Sequence, residues 1–180
     1  MARHIVLLRG INIGPRNRIA MPALRAALEK AGFEDVRTYV QSGNVVLTSP
    51  DSGQKVALAC ERLIAREFGL DVAVVVRTRA ALARVVERNP LGDVAANPKR
   101  YQVSFLGGKP SAAVLRKLEE VAAPEERFVH LGSEIYAWHP AGAARSKLWA
   151  MLAGRDLGVT ATARNWTTVT KLLELAEEES

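Results

Sequence analysis

The chain reads twice, and that constrains its fold more than any other feature. The segment RTYVQSGNVVLTSP (37–50) lies over RFVHLGSEIYAWHP (127–140) without a gap, at an offset of 90. Arg37 falls on Arg127, Val45 on Ile135 and Pro50 on Pro140. Further on, REFGL (66–70) falls on RDLGV (155–159), and RTRAALARVVE (77–87) falls on RNWTTVTKLLE (164–174). At the front, RHIVLLRG (3–10) falls on RYQVSFLG (100–107). One such match could be chance. Their common order and nearly constant spacing point to an internal duplication, and so to two copies of one structural unit.

Each half gives the same series of elements. HIVLLRGI is a strand of branched apolar residues. MPALRAALEKAG is a helix whose Leu24, Ala27, Leu28 and Ala31 share a face and whose stop is Gly32. VRTYVQ and NVVLT are strands joined by a Ser-Gly-Asn turn, a hairpin signal. GQKVALACERLIAREFG keeps Val56, Ala59, Cys60, Leu63 and Ile64 in helical register up to Gly69. DVAVVVR is a fourth strand and RAALARVVER a helix beyond it. The second half repeats this as YQVSFLG, SAAVLRKLEEVAA, RFVHLG, EIYAWH, SKLWAMLAGRDLG, VTATAR and TTVTKLLELAEE. The order βαββαβ is the ferredoxin-like unit. The fold expected is α+β, built from two tandem ferredoxin-like units (βαββαβ plus a trailing helix). The first subdomain is expected over 1–88 and the second over 100–180. NPLGDVAANPK (89–99), with two prolines and a glycine, is the expected linker.

With 180 residues, 48% of them hydrophobic and 24% charged, the chain can bury such cores. No apolar run approaches the ~20 residues that cross a bilayer, and HIVLL is too short for a signal peptide and is interrupted by Arg9. A cytoplasmic protein without a membrane partner is expected. The single cysteine, Cys60, sits in an apolar helix pattern and reads as a buried, inert thiol. The net charge is +6, and its distribution matters more than its size. Residues 1–30 hold Arg3, Arg9, Arg16, Arg18, Arg25 and Lys30 against Glu29 alone, which is +5 of that +6. The ending LLELAEEES is acidic. A local field of this kind favours an anionic partner.

The copies differ most after their first strand. The first half runs INIGPRNRIAMPALR where the second has GKPSAAVLR. Aligning the strands gives an offset of 97 and aligning the helices 91, so about six residues are inserted. In this topology the loop after strand one and the hairpin between strands two and three share one sheet edge. That edge gathers the candidate ligand-binding residues Arg9, Gly10, Asn12, Gly14, Arg16, Asn17 and Arg18 of the loop with Gln41, Ser42 and Asn44 of the hairpin. Arginine supplies rigid forks for phosphate or carboxylate. A second cluster, Arg145, Ser146, Lys147, Arg164, Asn165 and Trp166, is expected on the opposite edge of the second sheet. The opening loop fits neither G-x-G-x-x-G nor G-x-x-x-x-G-K-[ST]. His4, His130, His139 and Cys60 show no metal-ligand spacing, and Ser42 has no evident base, so no metal or cofactor is expected and no catalytic residue is assigned. Ten aromatic residues (three Trp, three Tyr, four Phe) argue against an aromatic-platform RNA reader.

The stretches LLRGINIG…NRI.M..LR..LE..GF.DV.TYVQSGNVV and TARNWTTVTKLLEL closely resemble the bacterial family Domain of Unknown Function 1697, and the resemblance covers nearly the whole chain. It implies a compact α+β fold and no established activity. The functional expectation therefore rests on the residues. It is a binding protein for an anionic ligand, either a phosphorylated metabolite, a nucleotide or a nucleic acid. The alternatives are an enzyme acting on a phosphorylated or nucleotide-like substrate, and a protein-assembly module. Oligomeric state is left open.

Overall fold

The computed structural model describes residues 1–178. The last two residues of the acidic ending, 179 and 180, lie outside the described residues. The elements follow in order as β1 (Ala2–Leu8), α1 (Met21–Lys30), β2 (Glu34–Tyr39), β3 (Asn44–Ser49), α2 (Gly53–Phe68), β4 (Val74–Thr78) and α3 (Arg79–Arg88). The series then repeats as β5 (Tyr101–Leu106), α4 (Ala112–Val121), β6 (Arg127–Leu131), β7 (Glu134–Trp138), α5 (Lys147–Ala153), β8 (Ala161–Asn165) and α6 (Trp166–Glu177). The strand orders β2-β3-β1-β4 and β6-β7-β5-β8 are the same antiparallel arrangement twice. The α+β fold of two ferredoxin-like units is as the sequence pattern predicts. No helix among the described residues is long and apolar enough to cross a membrane.

Two compact units result: Met1–Arg84 together with the chain from Lys171 onward, and Val85–Thr170. The boundaries fall inside α3 and inside α6. In the first unit, Arg3 donates to Asp35, to Thr48 Oγ1 and to the Leu175 carbonyl, which ties the end of α6 to the first sheet. In the second, Tyr136 Oη donates to the Val85 carbonyl at 2.9 Å.

The local structure follows from the sequence. Ile5, Val6, Leu7 and Leu8 are all buried, as are Val45, Val46 and Leu47, so these strands read as continuous apolar runs because both sheet faces are covered. On one face of the first sheet, Val6, Leu8, Val45 and Leu47 pack with Leu24 and Leu28 of α1 and with Val56, Cys60, Leu63 and Ile64 of α2. Burial pushes the Cys60 thiol up to about 12, so it stays protonated and unreactive at neutral pH. Ser52 and Ser111 cap α2 and α4 by accepting the Lys55 and Val114 amides.

The copies superpose with a register that differs by one residue from the sequence matching of the first strands. The Leu8 amide donates to the Gly43 carbonyl, as Leu106 does to Ser133; the Arg9 amide donates to Ala73, as Gly107 does to Thr160. Leu8 therefore corresponds to Leu106, an offset of 98 instead of 97. Strand side chains alternate between faces, so a one-residue slip would exchange the two faces of the strand. With the observed register Leu8 and Leu106 both enter the cores beneath their helices. The hairpin offset of 90 holds, since Val6 pairs with Val45 and Ser104 with Ile135. Because α1 begins at Met21 and α4 at Ala112, an offset of 91, the first connection carries seven extra residues and not six.

Gly43 seats the β2–β3 hairpin on the end of β1. Its φ is +84°, and a Cβ there would lie 2.8 Å from Leu8 Cβ and 3.0 Å from the Ile11 side chain. Gly10 has φ +65° and open space around it. Gly43→Ala is expected to cost about 3 kcal/mol, from backbone strain plus overpacking, and Gly10→Ala about 1 kcal/mol, from strain alone. Urea unfolding measures both; equal costs would show that the close approach does not matter.

Candidate functional site

The first candidate is the connection from β1 to α1. Its two ends are apolar anchors: Ile11 and Ile19 are buried, while Gly10 and residues 13–18 are exposed. Asn12 holds the connection together. Its Nδ2 donates to the Ile19 carbonyl at 2.9 Å and to the Gln41 carbonyl at 2.7 Å, and its Oδ1 accepts the Ile19 amide at 2.9 Å. Its own amide donates to the Asn17 carbonyl, and Asn17 Nδ2 reaches the Gly10 carbonyl at 3.3 Å. Asn12 and Asn17 adopt φ of +54° and +53°, which asparagine tolerates better than most residues. A bridge from Ile13 to Arg16 closes the exposed tip, which includes Gly14.

This places loop and hairpin on one edge, and the Asn12–Gln41 bond joins them. The side chains of Asn44 and Ser42 are also used internally. Asn44 is fully buried, and its Nδ2 donates to the Tyr39 carbonyl at 3.1 Å and to Ser42 Oγ at 2.9 Å. The cations differ from these. Arg16 and Arg18 are exposed and make no ion pair among the described residues, whereas Arg9 is half-buried. Elsewhere in the basic first thirty residues, Arg3 is paired with Asp35 and Arg25 with Glu29.

The second candidate lies in the second unit. Arg145, Ser146 and Lys147 line a cavity of about 630 Å³ together with Glu125, Glu126, Gly142 and the apolar Val121, Ala123 and Ala141. At its floor Glu126 is buried and fully engaged. Oε1 accepts the Ala123 amide at 3.0 Å, and Oε2 accepts the Ser146 hydroxyl at 2.6 Å. His139 Nδ1 lies 2.5 Å from the same Oε2, and its ring packs edge-on against Trp149. An ionised carboxylate only accepts, so Nδ1 carries the hydrogen. Burial by itself would raise the Glu126 carboxyl, but hydrogen bonds from Ser146, His139 and the Ala123 amide outweigh it and hold the group below its ordinary value. Ser146 Oγ also accepts the Trp149 amide at 2.9 Å, capping α5. Its lone pairs and its hydrogen are thus structural, which is poor preparation for a nucleophile.

The remaining three residues of the predicted second cluster do not line this cavity. Arg164 is buried in β8, donating to Thr162 Oγ1 at 2.7 Å and to the Ala163 carbonyl at 2.9 Å. Burial pulls its guanidinium down to about 10, so it is still a cation at neutral pH. Asn165 accepts the Thr168 amide as the cap of α6. Trp166 stacks on Tyr101 with ring centroids 4.8 Å apart. Sequence reasoning missed Glu125, Glu126 and His139. A signal existed: Pro50 and Pro140 differ by 90, but the helix caps Ser52 and Ser146 differ by 94, so the β7–α5 connection holds four extra residues.

Fold and candidate sites together define a class: a duplicated ferredoxin-like α+β protein with one connection lengthened in each copy. The chain belongs to the family described as Protein of unknown function (DUF1697), whose model matches residues 1–136. Among solved structures it is similar to a conserved bacterial protein from Streptococcus pneumoniae. The two are 22% identical with a TM-score of 0.80, over 98% of this chain and 99% of that one, a likeness of fold. No curated protein matches the chain.

The depressed Glu126 carboxyl gives the second unit an acid limb. Such a group contributes stability above its unfolded value, near 4.5, and that contribution is lost as pH falls through the lower folded value. In urea unfolding between pH 3 and pH 7, Glu126→Gln is expected to lower the midpoint at neutral pH and to flatten its fall in acid. A variant with the wild-type acid slope would remove Glu126 as the cause.

Proposed function

We propose that the protein binds an anionic partner through the Arg16–Arg18 loop of the first unit, and that the partner is the phosphate backbone of a nucleic acid. The observation that carries this reading is the contrast within the loop. The polar groups of Asn12 are consumed in fixing the connection, while Arg16 and Arg18 project from it exposed and unpaired among the described residues. A loop fixed in advance loses little entropy on binding. Exposed arginines suit an extended polyanion, whose charges can run across an open surface, better than a small metabolite, which needs enclosure for affinity. The scarcity of aromatic residues favours contact with phosphates over stacking on bases.

The test is fluorescence anisotropy with a labelled DNA duplex and a labelled single strand, for wild type and for Arg16→Ala with Arg18→Ala. Removing two phosphate contacts is expected to weaken binding at least about tenfold and to reduce the slope of log K against log salt by roughly 2. Equal binding and equal slopes for the two proteins would overturn the proposal. Stabilisation by a nucleotide or sugar phosphate that the double variant loses, with no binding of either DNA, would replace it with the metabolite reading.

A further inference from the structure

The second unit's cavity has a charge pattern unlike the first unit's loop. Of its lining, Glu126 and Ser146 are already satisfied by each other, by His139 and by the backbone. Glu125, Arg145 and Lys147 are not. All three are exposed side chains that line one cavity, and none makes an ion pair or hydrogen bond among the described residues. Opposite charges bordering one space without pairing leave room for a third body between them. The lining carries two cations and two carboxylates, so a bare anion meets Glu125 and Glu126, and a bare cation meets Arg145 and Lys147. A molecule with both charges is repelled by neither. Val121, Ala123 and Ala141 supply apolar lining in the same cavity. The volume, about 630 Å³, lies in the ~300–1,000 Å³ range of small-ligand sites. The wall from Ala141 to Arg145 belongs to the connection that is four residues longer here than in the first unit.

We infer that this cavity binds a zwitterion of the amino-acid or short-peptide class, with its carboxylate on Arg145 and Lys147, its ammonium on Glu125 and its apolar side chain against Val121, Ala123 and Ala141. Arginine can grip a carboxylate with two parallel hydrogen bonds, while the lysine adds a point charge. Glu126 joins the turn before β6 to the end of β7 through His139 and to the start of α5 through Ser146, and so fixes the segments that carry Glu125, Arg145 and Lys147 to one another.

Isothermal titration of the full chain with the dipeptide leucyl-alanine tests this, alongside its N-acetylated form, its C-amidated form and inorganic phosphate. The free dipeptide is expected to bind, and blocking either end to weaken binding about tenfold, as loss of one charge-assisted contact does. In Glu125→Gln the penalty for acetylation should vanish, and in Arg145→Ala the penalty for amidation should shrink. Both side chains are exposed, so both variants should melt with the wild type. An acetylated dipeptide or inorganic phosphate that binds as tightly as the free dipeptide would make this a plain anion site and overturn the inference. So would an amidated dipeptide that binds as tightly, an acetylation penalty unchanged in Glu125→Gln, or no binding of the free dipeptide at millimolar concentration.

Discussion

Everything in each unit hangs on the central strand of its sheet. β1 and β5 are hydrogen-bonded on both sides, and consecutive amides at their ends reach different neighbours. Leu8 bonds to the hairpin turn and Arg9 to the segment before β4; Leu106 and Gly107 repeat this. Two bonds in opposite directions from adjacent residues fix the register to a single residue. Register then decides which side chains meet the helices, because alternation leaves no intermediate arrangement. The hairpin can reach the end of β1 only because residue 43 has no side chain to collide with Leu8 and Ile11. The same strand end launches the lengthened loop, so the loop starts from one of the best-determined points in the unit.

Both candidate sites border additions at such strand ends, one after β1 and one after β7. Strand ends tolerate inserted chain because the ladder behind them is already complete. Beside each lengthened connection one polar side chain acts as a hub of hydrogen bonds. In the first unit the hub is Asn12, whose amide group makes three hydrogen bonds. In the second it is Glu126, which accepts three. An amide both donates and accepts, and so can tie carbonyls and an amide of neighbouring turns together. A carboxylate accepts only, and so collects donors from a hydroxyl, an imidazole and a backbone amide. Arg16, Arg18, Glu125, Arg145 and Lys147 take no side-chain part in these hubs.

Much of this was legible in the sequence. The duplication gave the unit, and runs such as HIVLL and NVVLT gave the strands. Gly69 marked a helix end, and topology alone placed the opening loop beside the hairpin, where Asn12 meets Gln41. The register of the first strand was not legible. Identities at Arg3 with Arg100 and Gly10 with Gly107 pull the alignment one residue away from the pairing that hydrogen bonds choose. The fate of Arg164, Asn165 and Trp166 was not legible either. Whether a polar residue at a strand end meets solvent or protein depends on neighbours distant in the chain, such as Tyr101 for Trp166. Glu126 and His139 escaped for a related reason: they come from two different connections, and only folding makes them partners.

Formal charge is a poor guide to where this protein could attract a ligand, and the paired residues show why. The first thirty residues carry five net positive charges, yet Arg3 and Arg25 already have carboxylate partners. Arg164 is buried among a hydroxyl and a carbonyl, where its charge serves the fold. A cation with a partner contributes little field beyond a few ångström, and an exposed pair is further screened by salt. Among the exposed, unpaired charges of the described residues, two groups border the lengthened connections: Arg16 and Arg18 after β1, and Glu125, Arg145 and Lys147 around the cavity beside the β7–α5 connection. The first group is of one sign and open; the second is mixed and lines a cavity. Two copies of one scaffold thus come to present opposite kinds of surface, each beside the strand end that received extra residues.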